Sequence, residues 1–235
     1  MKIKDKEENT SKTGIKFNEN FEWKHVPITK PVLISAESYS KWFEKTFHYY
    51  KTHKQKIHNQ IKFESGKLHV RKLPAHYPLA VYHGRIDSYI AFDDDVDLLT
   101  LSDSYGRTWM SITPNEIYTL RKQIKHAAGH TAIAGLGLGY TVIKVLANSD
   151  VKHVTVIEKN QEVAKVIGGM LKETYGDKLT IIVDDAYTHK YWRNYDVSLW
   201  DIWMGYQECI DDAKYLKIKM KILKECKVCI GWGER

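Results

Sequence analysis

The sequence predicts an α/β protein. Its expected core is a doubly wound parallel sheet, shortened at the C-terminus, behind a small N-terminal region of one helix and antiparallel strands. Three observations carry this. From Thr131 the chain reads TAIAGLGLGYTVIKVLANSDVKHVTVIEKN. An apolar run there closes on Gly135, Gly137 and Gly139, a helical pattern follows through Val142, Ile143 and Leu146, and a second apolar run, 154–157, ends in Glu158. Downstream, strand-like and helix-like segments alternate to the last residues, as in a parallel sheet with helical crossovers. Upstream, between Lys67 and Thr113, short β-prone runs are separated by Pro, Gly and Asp with no helical pattern between them.

The 235 residues suit a single domain, or a ligand-binding domain with a smaller appendage. Hydrophobic content of 43% and charged content of 28% are those of an ordinary globular chain. No apolar run approaches the roughly 18 residues of a membrane span, and the polar N-terminus MKIKDKEENTSKTG is no secretory signal. Three cysteines imply no disulfide framework. Cys226 and Cys229 form a C-x-x-C on an expected strand, where the offset of three turns them to opposite faces, so they read as packing residues. A cytoplasmic protein is expected. The net charge of +7 serves solubility or attracts anionic partners.

In chain order, residues 1–20 are polar and poor in aliphatics and should be disordered or loosely attached. Pro27 and Pro31 punctuate an extended lead-in. From Ala36 to about Gln60 the pattern is helical: Tyr39, Trp42, Phe43, Phe47 and Tyr50 recur at spacings of three and four, fading through Ile57 to Ile61. Lys41, Lys45, Lys51, Lys54 and Lys56 fall opposite, a solvated back to a core helix or, alternatively, a nucleic-acid or membrane surface. His48, His53 and His58 are out of phase for helical metal ligands, and no metal site is expected. Strands are expected at 67–73, 88–92, 98–102 and 107–112. The acidic run 93–95 with Asp97 lacks the glycine and distal glutamate of a calcium loop, so it reads as a turn.

A second unit should begin at Thr113, after an N-terminal part spanning 21–112. Thr113 can cap a helix, Pro114 takes its first position and Glu116 closes a capping box. Ile117, Leu120 and Ile124 make its buried face, and Gly129 is placed to end it. After the strand–glycine turn–helix–strand stretch come a helix at 161–175, a third strand at 179–183, a fourth at 195–199, a helix at 211–224 and a fifth strand at 227–230. Ligands of open α/β sheets lie beyond the carboxyl ends of the strands. The glycines, Glu158, Asp185 and Asp201 follow four successive strand ends. Trp200 and Trp203 flank the last of these as walls for a second substrate, or as core.

Glycines at G-x-G-x-G, with Tyr140 where a dinucleotide fold would set its third glycine, resemble the class I S-adenosylmethionine-dependent methyltransferases. Within that Rossmann-like superfamily the chain looks most like the spermidine synthase branch. The resemblance covers about 113–235 and is strongest at 131–160. It implies that Gly135, Gly137, Gly139, Tyr140 and Glu158 bind the cofactor, Glu158 through the ribose hydroxyls. It further implies that Asp185 and Ala186 meet the adenine, and that Asp201 is the base. Glu116 matches by its distance from the glycines an acid that reaches the active site in spermidine synthases. The pattern also departs from its relatives. Thr-Pro-Asn precedes Glu116, Ile133 stands two residues before the first glycine, and the acidic run of spermidine synthases shrinks to Asp201. The Asn/Asp-Pro-Pro-Tyr signature of amino-methylating DNA enzymes is absent. The implied activity is methyl transfer from S-adenosylmethionine. The alternatives are aminopropyl transfer from its decarboxylated form, or a non-catalytic cofactor- or nucleic-acid-binding protein of the same fold. The acceptor is open between a small molecule and a macromolecule, nucleic acid included, and a homodimer is open as well.

Overall fold

The computed structural model describes residues 14–19, 30–82, 86–205 and 208–234. The N-terminal part runs β1 (Val32–Ile34), α1 (Ala36–Thr46), α2 (His48–His58), β2 (Ile61–Phe63), β3 (Gly66–Leu73), β4 (Leu79–Tyr82), β5 (Ile86–Phe92), β6 (Val96–Asp103) and β7 (Thr108–Ser111). Ser35 starts α1, its Oγ accepting from the Ser38 N–H at 3.2 Å. The single helix expected from Ala36 is two, broken at Phe47 (φ −99°, ψ 73°). The break changes the phase of the buried face. Tyr49, which a continuous helix would hold off the stripe, turns inward beside Tyr50 and Ile57, while Phe47 stacks on Phe43 at 4.7 Å. The five lysines opposite are exposed, as the core-helix reading requires. Gln60 takes a left-handed φ of 63°, so Ile61 leaves the helical stripe for β2.

Two sheets stand where one small antiparallel sheet was expected. β2-β3-β6-β7 is antiparallel throughout. In β1-β5-β4, β4 is antiparallel to β5 and β1 is parallel to it. The acidic run is a turn, with Asp93 accepting from the Gly14 and Ala36 N–H groups and Asp95 from that of Ala75. Of the stretch expected to be disordered or loosely attached, 14–19 is placed on the core. Ile15 bridges Ile34, and Phe17 packs on Tyr39 and Trp42 at 5.2 and 4.9 Å. The rest of 1–20 lies outside the described residues, as does Pro27.

The second part runs α3 (Pro114–Ile124), β8 (Gly129–Ala134), α4 (Tyr140–Leu146), β9 (Val151–Glu158), α5 (Gln161–Val163), a π turn (Ala164–Gly168), α6 (Gly169–Tyr175), β10 (Leu179–Val183), β11 (Val197–Trp200), α7 (Glu208–Asp211), α8 (Ala213–Ile222) and β12 (Val228–Gly231). Thr113 caps α3 as expected, its Oγ1 accepting from the Glu116 N–H at 3.3 Å. Gly129 does not end α3, which stops at Ile124; instead it opens β8, where a Cβ would stand 2.3 Å from the Asp196 carboxylate. The five strands are all parallel, in the order β10-β9-β8-β11-β12. The order reverses between β8 and β11, which opens a crevice at their carboxyl ends. Cys226 lies just before β12 rather than on it, and both Cys226 and Cys229 are buried. Among the described residues no helix is long and apolar enough to cross a membrane.

Candidate active site

The carboxyl ends of the parallel strands open into a cleft of about 620 Å³. Gly135, Gly137, Glu158, Asp185, Ala186, Asp201, Trp203 and Glu116 all line it. At Gly135 (φ +90°) a Cβ would come within 2.2 Å of the Asp201 carbonyl oxygen, so only glycine lets the turn pass the end of β11. At Gly137 (φ +50°) a Cβ would meet the Met110 sulfur at 2.4 Å. That sulfur also accepts from the Leu138 N–H at 3.2 Å.

Glu158 ends β9 with its carboxylate buried behind the glycine turn. Its Oε2 accepts from the Leu136 N–H at 2.8 Å and its Oε1 from the Asn160 N–H at 2.7 Å. Burial pushes its pKa up, and these amides with that of Lys159 pull it back. Asp185 accepts from the Tyr187 N–H and pairs with Lys159 at 2.9 Å, which holds its carboxyl below the ordinary range. Ala186 is buried against the cleft.

Glu116 comes from the first turn of α3 and Asp201 from the end of β11. Burial pushes Glu116 up to about 8, the Asp201 charge adds to the rise, and the Ser111 and Thr113 N–H groups oppose it. Burial alone pushes Asp201 up to about 7. The Asp201 charge opposes ionisation of Glu116, so the two carboxylates do not both ionise cheaply.

Three residues expected at the site lie away from it. Gly139 leads into α4 and packs on Leu171. Tyr140 is buried against Phe47 and Trp42, at 6.3 Å from each ring, and its hydroxyl donates to Glu19. Trp200 is on β11, which runs one residue past its expected end. It is fully buried and stacks on Trp192 at 5.0 Å, with its indole N–H donating to Ser198 Oγ. Its strand neighbours are Ala134 and Gly231, small enough to leave room for the ring. Trp200 is core, and of these two tryptophans Trp203 is the one that lines the cleft.

The cleft also holds residues that sequence reasoning missed. Trp109 and Met110 come from β7, Tyr187 follows Ala186, and Trp232 follows β12. Trp232 stands at the fifth strand end, so the strand-end rule could have found it. Nothing in the sequence of β7 marks its residues, because they reach the cleft through tertiary packing, Met110 against the glycine turn. Among the described residues no group of three or more His, Cys, Asp or Glu side chains could hold a metal ion.

No family model matches the sequence, and no curated protein does. Solved structures with similar folds include a dimethyladenosine transferase from Plasmodium falciparum, 16% identical over 44% of this chain and 35% of that one, TM-score 0.35. A spermidine synthase from Thermotoga maritima is 15% identical over 60% and 45%, TM-score 0.38. An rRNA methylase from Streptococcus thermophilus is 10% identical over 47% and 64%, TM-score 0.36. The chain spans less than two thirds of each of these. With its strand order, its glycine turn after β8 and its acid at the end of β9, the chain has a doubly wound, Rossmann-like fold.

Proposed function

We propose that the cleft binds S-adenosylmethionine and that the protein passes its methyl group to a basic nitrogen of an acceptor. The observation that carries this reading is the Glu116–Asp201 pair, set beside Trp109, Trp203 and Trp232 over the glycine turn. The residues suit such a donor. Leu136 and Asn160 each occupy one oxygen of Glu158, and a carboxylate offers about four lone pairs, so acceptor sites remain for a ribose diol. Ala186 and the ring of Tyr187 offer an apolar slot for the base beside Asp185. When bound, the donor supplies a methyl carbon on a positively charged sulfur that leaves as a neutral thioether. The chain's part is then alignment, exclusion of water and removal of one proton. The Asp201 carboxylate, when ionised, attracts a protonated amine and, near pKa 7, takes its proton before the nitrogen attacks. The tryptophan faces favour the cationic centres on both sides.

A second reading uses the same cleft. Two carboxylates at one end of an aromatic slot also suit a polyamine, with an aminopropyl group coming from decarboxylated S-adenosylmethionine. Calorimetry of the full chain with both donors, and with NAD as the contrast, separates these readings. Micromolar binding of an adenosyl sulfonium supports a transferase, and the donor that turns over with an amine names the group moved. Tight NAD binding with no response to either sulfonium sinks both.

A further inference from the structure

Helix α8 needs one oxygen at its start, and Asp212 supplies it: Oδ1 accepts from the Tyr215 N–H at 3.0 Å. Serine, asparagine and threonine cap about as well with a single oxygen. The second oxygen of Asp212 has other work. Its Oδ2 accepts from the hydroxyl of Tyr187 and from the indole N–H of Trp203, the latter at 2.9 Å. These donors come from different loops, Tyr187 after β10 and Trp203 after β11, and both rings line the cleft. Beneath them lies the buried ring of Trp200, 5.9 Å from Tyr187 and 6.5 Å from Trp203. Tyr215 meets Trp203 edge-on at 5.0 Å, and the Lys214 ammonium sits 5.8 Å over the Tyr187 ring. Burial acts to raise the Asp212 pKa, but the hydrogen bonds from Tyr187, the Tyr215 amide and Trp203 hold it below the ordinary value. The carboxylate is therefore charged at neutral pH and its acceptor oxygens are committed.

We infer that Asp212 is a positioning residue that ties the two aromatic walls of the cleft, Tyr187 on the base side and Trp203 on the acceptor side, into one fixed unit. The assignment of the two sides rests on the donor reading above; the tie itself does not. Neither ring can swing without losing its acceptor, so the width of the slot is set from outside the cleft, by the start of a helix that touches no ligand.

The test uses the full chain. Asp212→Ser keeps one oxygen for the cap and leaves nothing long enough to reach Tyr187 or Trp203, so it removes the tie and spares the helix. Tyr187→Phe removes one donor from the other side. Thermal unfolding, hydrogen exchange of residues 184–190 and 200–205, and calorimetry with S-adenosylhomocysteine are measured for the parent, both single variants and the double. The melting temperature of Asp212→Ser should stay within about 3 °C of the parent while exchange rises at least about fivefold in both segments. Affinity for S-adenosylhomocysteine should fall about tenfold in Asp212→Ser, with less than about a further twofold loss on adding Tyr187→Phe, because the second change removes a contact that the first has already broken. Parental exchange in both segments of Asp212→Ser overturns the inference. So does faster exchange throughout the chain with a lowered melting temperature, which marks Asp212 as a cap alone. If the parent does not bind S-adenosylhomocysteine, the donor reading fails, and the exchange data still decide the tie.

Discussion

Glu158 and Asp201 face one cleft but differ in what already holds them. Glu158 accepts two main-chain N–H groups and is buried, whereas Asp201 owes its raised pKa to burial alone. Removing Glu158 therefore costs in two currencies. Glu158→Ala leaves the Leu136 and Asn160 amides without their acceptor, which destabilises the chain by roughly 1–3 kcal/mol, and should weaken S-adenosylmethionine binding at least about tenfold. Calorimetry and denaturant unfolding on the same preparation read both effects, and parental affinity would remove Glu158 from the donor site. Asp201→Asn should act on chemistry instead, leaving donor affinity within about threefold and cutting turnover by roughly 10²–10⁴. Asp201 serves as a base only when ionised, so the parental rate should climb with pH through about 7, and that limb should vanish in the variant. A rate already flat at about pH 6 would place the base elsewhere, and not at Glu116, which is pushed up to about 8 and would make the rate climb later still. The place of Glu158 at a strand end was legible in the sequence. Its capture by the Leu136 amide was not, since that amide arrives only when the glycine turn closes over β9.

At the scale of elements, the glycine turn and the helix at 161–175 give opposite expectations for the same substitution. Gly135→Ala forces a side chain into a left-handed φ and against the Asp201 carbonyl. The end of β11 or the turn itself must move, and the loss should exceed about 2 kcal/mol. Gly169 has a helical φ of −57° and open space around its Cβ direction. Gly169→Ala should stabilise by about 0.5–1 kcal/mol. Chemical denaturation of the two variants checks the pair, and a neutral Gly135→Ala would mean that the turn relaxes freely. The alternation of strands and helices was legible because apolar runs of period two and stripes of period 3.6 seldom mimic each other. The break at Phe47 was not, because Tyr49 and Tyr50 both turn inward and a periodic stripe has room for only one of them. Trp200 failed for a related reason. A strand end offers two faces, and only the small partners Ala134 and Gly231 reveal which one holds the ring.

On the scale of the whole molecule, the two parts meet at the cleft. β6 and β7 contribute Leu101, Trp109 and Met110, α3 brings Glu116, and the parallel sheet brings Asp201. Tyr49 of α2 donates to the carbonyl of Leu138 in the glycine turn at 2.7 Å, so the N-terminal helices also hold that turn. This junction predicts how stability depends on pH. The ordinary values for Glu116 and Asp201 are 4.5 and 3.8, and in the folded chain they rise to about 8 and about 7. Between those limits the unfolded chain has released both protons while the folded chain keeps them. The folded state then binds more protons than the unfolded one, so stability must fall as pH rises from about 4 to about 8 and level off above. Glu158, also raised by burial, acts in the same direction, whereas lowered carboxylates such as Asp185 and Asp196 lose their contribution only as pH falls through the acid range. Replacing the pair by Glu116→Gln and Asp201→Asn removes two titrations and leaves polar groups that need no counter-charge. The double variant should match the parent near about pH 5 and melt at least about 3 °C higher near about pH 9. Melting curves across that range decide it: equal slopes for parent and variant would mean that the two carboxylates ionise freely and that the cleft is wetter than its lining implies.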